Sequence, residues 1–128
     1  MPKVLIALCG LAASAAFAQE AQVTPLVTHE LAPLDGQEEG TMLVVEYPPG
    51  GSSAPHRHNA YAFVYVLEGR VAMQVKGGDE VTIGPGETYL ETPEDVHLVS
   101  RNASTTEPAR FVVFLVKRKD APITVPAD

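Results

Sequence analysis

The sequence predicts an all-β domain, either a barrel or a sandwich, and three observations support this fold class. Short segments rich in Val, Ile, Thr, Tyr and Phe recur along the chain, and these residue types suit the pleated surface of a strand. Turn-forming groups of Gly and Pro separate many of the segments. No segment after residue 18 keeps the apolar period of about 3.6 residues that a helix requires.

Each predicted strand is placed by its position relative to these turn groups. In chain order, the predicted strands are 23–27, 41–47, 61–67, 71–76, 80–83, 88–91, 97–100 and 110–117. The turn groups that divide them are 48–51, 68–69, 77–78 and 84–86. Residues 19–22 and 121–128 have no strand pattern, so we expect both to be loose ends of the domain.

The first 18 residues have the layout of a secretory signal peptide. Lys3 provides a positive start, residues 4–17 are apolar or small, and Ala16-Phe17-Ala18 is a small-x-small cleavage site. A membrane anchor is the alternative, but this apolar stretch is shorter than the roughly 20 residues that a span requires. We therefore expect cleavage after Ala18, a single exported domain over 19–128, and a periplasmic or secreted location.

Charge and cysteine content narrow the range of partners. The chain has a formal net charge of -7, and an acidic surface disfavours nucleic acid and anionic lipid. We therefore expect neither nucleic acid nor, after signal cleavage, a membrane as a partner. Cys9 is the sole cysteine and lies inside the predicted signal peptide, so the exported domain would have neither a disulfide nor a cysteine nucleophile.

Three histidines form a candidate metal site. His56 and His58 are separated by one residue, so in an extended strand both imidazoles project from the same face. His97 opens a later predicted strand, which antiparallel pairing could bring opposite them. Three neutral imidazoles suit one divalent transition metal, which could be Fe, Zn, Mn, Cu or Ni. The alternative is a solvated or hydrogen-bonded histidine pair, and His29, outside the pattern, is expected to be an ordinary surface residue.

The sequence around these histidines resembles the two motifs of the cupin superfamily, over roughly residues 41–116. The positions that fit are Gly50, His56, His58, Gly69, Gly86 and His97. The departures are Ala62 for the first motif's glutamate, Thr92 and Glu94 for a proline and a glycine, and Asn102, which comes one residue late. The resemblance implies a small single-domain cupin, with a double-stranded β-helix (jelly-roll) barrel and a metal at its mouth.

The loss of the motif glutamate directs attention to two positions. Ala62 has the same strand parity as the two histidines, so its methyl group is expected to face the metal and leave space there. Glu91, six residues before His97, is the candidate catalytic residue. Its carboxylate could bind the metal, orient a ligand or act as a base. The alternative is a carboxylate exposed to water at the barrel rim.

These features lead to two main functional hypotheses. The first is an exported metal-binding cupin that acts on a small oxygenated or carboxylated molecule, since some cupin dioxygenases similarly use three histidines without the glutamate. The second is a cupin that binds a metal or small molecule without turnover. Tyr61, Phe63 and Tyr65 lie on the opposite face of their strand from Ala62, and this aromatic face is expected to pack against a second sheet or against a second subunit. We expect the protein to be a homodimer.

Overall fold

The computed structural model describes residues 19–31 and 35–127. The predicted signal peptide, residues 1–18, lies outside the described residues, so its cleavage and the exported location stay predictions. In the described part of the chain, no helix has the length and apolar character needed to cross a membrane.

The described residues form eleven strands in two antiparallel sheets. The strands are β1 (Gln22–Glu30), β2 (Glu38–Tyr47), β3 (Ser52–Ser53), β4 (His56–Arg57), β5 (Tyr61–Glu68), β6 (Val71–Val75), β7 (Val81–Ile83), β8 (Thr88–Glu91), β9 (His97–Asn102), β10 (Ala109–Arg118) and β11 (Val125–Pro126). One sheet has the order β1-β2-β10-β5-β8, and the other has the order β11-β4-β9-β6-β7, with β3 also paired to β9. The predicted all-β fold and its double-stranded β-helix form are confirmed.

A single core fills the space between the two sheets, because one face of each central strand is apolar. In β5, Ala62, Val64 and Val66 are buried, whereas the intervening aromatic side chains are half exposed. This alternation is the period of two expected for a strand with one buried face. The largest fully buried side chains come from both sheets and are Tyr47, Met73, Leu115, Val66 and Val71.

Each predicted strand is present, with its ends moved by a few residues, but three very short strands were not predicted. β3, β4 and β11 have two residues each, too few for a period to be read from the sequence. The expectation that residues 121–128 are a loose end is wrong for most of that segment. β11 pairs with β4, and the side chain of Ile123 packs against the core.

One charged side chain is buried at the end of β10. Lys117 is 5% exposed, and its Nζ forms an ion pair with Glu39 on β2. The same ammonium group donates a hydrogen bond to the carbonyl oxygen of Ala121 at 2.6 Å. A buried charge requires such partners, so Lys117 ties β2 and β10 to the turn that follows them.

Candidate metal centre

The three predicted histidines converge at one end of the barrel. His56 on β4 pairs directly with His97 on β9, and their ring centroids lie 5.1 Å apart. His58 follows β4 with its ring centroid 4.8 Å from that of His56. Asn59 then adopts a left-handed conformation with φ of 49°, which turns the chain from β4 into β5. The antiparallel pairing expected from the sequence therefore brings all three imidazoles together.

Backbone carbonyls fix the orientation of the first two imidazoles. His56 Nδ1 lies 2.7 Å from the carbonyl oxygen of Ala54, and His58 Nδ1 lies 2.7 Å from that of Ile123. A carbonyl can only accept a hydrogen bond, so each Nδ1 carries the proton and each neutral ring presents an unprotonated Nε2. The two Nε2 atoms are 3.2 Å apart. Two lone pairs this close require a proton or a cation between or beside them.

Glu91 completes the cluster from β8. It is 3% exposed, so it is not a carboxylate open to water at the rim. Its Oε2 lies 3.7 Å from His58 Nε2 and 3.0 Å from His97 Nδ1. Ala62 pairs with Glu91 across β5 and β8, and the two side chains share the inward face. A carboxylate is therefore present beside the small residue that replaces the motif glutamate, but it comes from the neighbouring strand.

The hydrogen bonding of His97 tests whether a metal fits this cluster. The Nδ1 atom of His97 lies 3.0 Å from Glu91 Oε2, but this oxygen lies off the hydrogen-bonding direction of the ring nitrogen. Both ring nitrogens of His97 are therefore buried without a hydrogen-bond partner. A buried polar atom without a partner is costly, and a bound ion would satisfy it. One ligand atom from each of the four residues lies within 4.8 Å of all the others. The donor set fits a divalent transition metal.

Burial also affects the acid–base state of His56. The pKa of His56 lies below its ordinary value, chiefly because burial disfavours the charged imidazolium, with His58 and His97 as further unfavourable neighbours. A carbonyl hydrogen bond and the Glu91 carboxylate act in the opposite direction. A lowered pKa keeps the imidazole neutral, which is the form that binds metals.

The cluster lies in the wall of a cavity of about 430 Å³. Seven apolar side chains of the core strands line it, namely Leu43, Val45, Val64, Met73, Phe111, Val113 and Leu115. Residues 52–55 also contribute, as do residues from both ends of the described chain: Glu20, Ala21 and Val23 on one side, and residues 123–126 on the other. A mostly apolar cavity with a few polar groups is the usual form of a small-molecule site.

A second polar group in the cavity was not found from the sequence. Tyr47 is 1% exposed, and its hydroxyl lies 2.6 Å from Ser53 Oγ and 2.7 Å from Ser100 Oγ. Burial raises the pKa of Tyr47 above its usual range, so the phenol stays neutral. Serine and tyrosine in strands carry no distinctive signal. The pairing of β3 with β9 brings Ser53 next to Ser100, and the Tyr47 side chain reaches both from β2 in the other sheet. We call Tyr47, Ser53 and Ser100 the hydroxyl trio.

The late position of Asn102 has a local explanation. The pairing of β9 with β6 shifts by one residue between Val75 and Gln74, so β9 contains one extra residue after His97. Asn102 is therefore still buried, at 4% exposed, and its Nδ2 donates to the carbonyl oxygens of Pro48 at 3.1 Å and Glu107 at 2.7 Å. Its role is to hold these loops together.

The motif replacements at Thr92 and Glu94 lie in a turn that needs no glycine. Among the described residues, those with positive φ do not include Glu94 or Asp95. Asp95 closes the turn instead, because its carboxylate accepts a hydrogen bond from the Thr92 amide at 2.7 Å and its own amide donates to the Thr92 carbonyl at 3.1 Å. This turn leads into His97.

With this fold and cluster established, comparisons place the chain in a family. Residues 43–115 match the cupin domain family, so the chain belongs to that family. The resemblance stated from the two sequence motifs is thereby confirmed. No match was found among curated proteins.

Solved structures share the fold at low sequence identity. An uncharacterized conserved protein with a double-stranded β-helix domain from Klebsiella pneumoniae is 20% identical, with a TM-score of 0.66 and 85% of each chain covered. The DMSP lyase DddQ from Ruegeria pomeroyi is 22% identical with a TM-score of 0.59, over 69% of this chain and 43% of that one. An oxalate oxidase in complex with the substrate analogue glycolate is 23% identical with a TM-score of 0.62, over 86% and 56% of the two chains.

Proposed function

We propose that this protein is an exported metal-binding cupin that acts on a small oxygenated or carboxylated molecule. One observation carries the proposal: three imidazoles and one carboxylate converge within 4.8 Å in the wall of a largely apolar cavity. The similar structures of a DMSP lyase and of an oxalate oxidase show that this fold accommodates such chemistry in other proteins. Both of those chains are considerably longer than this one.

The residues of the cluster would have two different roles. His56, His58 and His97 would hold the metal through neutral nitrogens, with Glu91 as a fourth ligand or as a base beside it. When bound, a divalent metal polarises a ligand oxygen and lowers the pKa of a coordinated hydroxyl or water. Because Glu91 adds one negative charge, the loaded cluster would keep a net positive charge and favour a singly anionic ligand.

Metal content is the first test of this proposal. The protein without residues 1–18 is purified, and its iron, zinc, manganese, copper and nickel are measured by elemental analysis. We expect one divalent ion per chain in the wild type and little in His58→Ala. His29→Ala is the matched control, since His29 is an exposed histidine on β1 outside the cluster. Equal metal content in wild type and His58→Ala would rule the site out.

A dioxygenase that uses iron is the specific reaction to test next. The iron-loaded protein is mixed with diketone, phenolic and carboxylate substrates, and oxygen uptake is recorded. We expect uptake that depends on His58 and Glu91 and is unchanged in His29→Ala. No uptake with any of these substrates by the metal-loaded protein would exclude this reaction on the compounds tested.

Binding without turnover is the alternative function. The observation that favours it is the small number of proton-exchanging groups: outside the cluster, the described residues that line the cavity include only Glu20 and Tyr47 as acid–base groups. A small molecule recovered unchanged from the native protein after long incubation would support this alternative. Turnover of any substrate would refute it.

Export is part of the proposal and has its own test. The full chain is expressed in a bacterium, and the intact mass of the protein in the periplasmic fraction is measured. We expect the mass of a chain that begins at Gln19, because the small-x-small site ends at Ala18. An uncleaved chain confined to the cytoplasm would contradict export.

A further inference from the structure

Two members of the hydroxyl trio and two of the candidate metal ligands form successive cross-strand pairs in the same sheet. Ser53 pairs with Ser100, and His56 pairs with His97. Because β9 has one extra residue after His97, the two pairs lie opposite Val75 and Met73, which are two residues apart on β6. This corresponds to a separation of roughly 7 Å at about 3.3 Å per residue. Both pairs contribute side chains to the same cavity. A ligand bound at the cluster can therefore meet the hydroxyl trio with its other end.

The direction of the hydrogen bonds in the trio follows from its last member. Ser100 Oγ donates to Met73 Sδ at 3.7 Å, because a thioether can only accept. With that proton committed, Tyr47 donates to Ser100, and Ser53 in turn donates to Tyr47. This arrangement satisfies three hydrogen bonds, whereas the reverse direction satisfies two. Ser53 is thus left with free acceptor lone pairs but no free proton.

Charge and size limit what can fill the space between the two pairs. None of the described residues that line the cavity is Lys or Arg, so a negative charge at the trio would have no counterion. A volume of about 430 Å³ holds on the order of 14 non-hydrogen atoms, at the roughly 30 Å³ that a water molecule occupies in the liquid. Between Ser53 and His56, the residues that line the cavity are Ala54 and Pro55, which are both apolar.

We infer that the ligand is a small, singly anionic molecule with a metal-chelating oxygen head, an apolar middle, and a neutral hydroxyl or amide N–H that donates to Ser53. The inference rests on the proposed function, because the head is placed by the metal. It assigns the hydroxyl trio as the specificity-determining group for the tail. Dicarboxylates and ethers are disfavoured, the former for lack of a cation and the latter for lack of a proton to donate.

Hydroxamic acids with different tails test this inference on the zinc-loaded protein. Zinc has no redox chemistry, so the probes are not consumed, and a hydroxamate supplies the anionic oxygen head. Dissociation constants are measured by calorimetry for alkyl hydroxamates that end in a hydroxyl, a methoxy, a carboxylate or a methyl group, over a series of tail lengths. At the best length, we expect the hydroxyl probe to bind about three- to tenfold more tightly than the others, the effect of one buried hydrogen bond.

Two variants test the direction of the hydrogen bonds. Tyr47→Phe removes the acceptor for the Ser53 proton, and Met73→Leu removes the group that fixes the direction while nearly conserving volume. In either variant Ser53 regains a proton to donate, so we expect the preference for hydroxyl over methoxy to disappear. Tyr61→Phe is the matched control, because Tyr61 is 48% exposed on the outer face of β5, and it should keep the preference.

The outcomes separate this inference from the proposed function. Failure to bind zinc or any hydroxamate would overturn the proposed function and the inference with it. Zinc and hydroxamate binding with equal affinity for all four tails would overturn the inference alone. An unchanged preference for the hydroxyl probe in Met73→Leu would overturn the assignment of the trio, and this variant serves if Tyr47→Phe does not fold.

Discussion

At the scale of single residues, the exchange between Ala62 and Glu91 is the main departure from the family motif. The two residues are direct cross-strand neighbours on β5 and β8, and both are buried. The carbon atoms at the base of two such side chains lie about 4.5–5.5 Å apart, which is within the reach of a glutamate. A carboxylate can therefore be supplied to the cluster from either strand.

Moving the carboxylate back to the motif position tests this equivalence. We expect Glu91→Ala to weaken zinc binding by at least about tenfold, a loss that even an indirect partner of a metal ligand can cause. Adding Ala62→Glu to that variant should recover part of the affinity. Competition with a chromogenic chelator measures both effects, and Glu46→Ala, at an exposed position of β2, is the control. A double variant no better than Glu91→Ala would contradict the equivalence.

The buried ion pair on β10 leads to a prediction about stability. Glu39→Gln leaves the Lys117 ammonium buried with carbonyl acceptors alone, so we expect the free energy of unfolding to fall by about 3 kcal/mol, the lower end for a broken buried pair. Urea unfolding followed by circular dichroism measures the change. Lys119→Met breaks the exposed pair with Glu30 and should have no measurable effect. Equal stability of Glu39→Gln and wild type would show that the pair contributes nothing.

The sequence predicted the candidate metal ligands of the site better than its hydroxyl groups. The spacing of His56 and His58 was a weak signal by itself, and the resemblance of the surrounding residues to the two cupin motifs is what suggested that His97 meets them. A role in the site was one of two interpretations of the Glu91 carboxylate, and its burial beside the histidines depends on the pairing of β5 with β8. The hydroxyl trio depends on strand register between distant segments, which residue type and local spacing do not encode.

At the scale of elements, β11 and the residues just before it hold part of the candidate metal site in place; we call β11 with Ile123 the clasp. β11 pairs with β4, and just before it the carbonyl of Ile123 holds the Nδ1 proton of His58. A segment of two residues, one of them a proline, gives no strand signal, which explains why its role could not be predicted. The long strands were predicted because their apolar faces repeat often enough to show a period of two.

Removing the clasp should weaken the metal site without unfolding the barrel. We expect a chain that ends at Ala121 to bind zinc about 10- to 100-fold more weakly, because His58 loses the partner that orients its ring. A chain that ends at Pro126 keeps β11 and is the control. Chelator competition gives the affinities, and circular dichroism checks the fold. Identical affinity in the two chains would show that the clasp has no part in the site.

At the scale of the whole molecule, the outer face of the five-stranded sheet is unusually apolar. One row of paired residues crosses all five strands and consists of Val27, Met42, Phe114, Phe63 and Leu90. Tyr61, Phe63 and Tyr65 are each 48% exposed on this face. Contiguous apolar surface of this kind often marks an interaction site. It supports the homodimer that was predicted because the aromatic residues of β5 all lie on one face of the strand.

Sedimentation velocity tests the dimer directly. We expect the wild type to sediment as a dimer and Phe63→Glu to sediment as a monomer, since a charge at the centre of the apolar row would be buried without a partner. Leu98→Glu is the control, because Leu98 is exposed on the other sheet. A monomeric wild type, or a dimer unaffected by Phe63→Glu, would contradict pairing through this face.

The extra residue in β9 has a consequence for finding such sites in other genomes. A search pattern that counts letters between the histidine and the asparagine of the second motif would reject this chain, because Asn102 falls one letter late. A pattern that counts only the residues whose side chains are buried would accept this chain, because His97, Ser100 and Asn102 are all buried on β9. A one-residue insertion that forms a β-bulge changes the residue spacing of a motif but preserves the arrangement of its buried side chains.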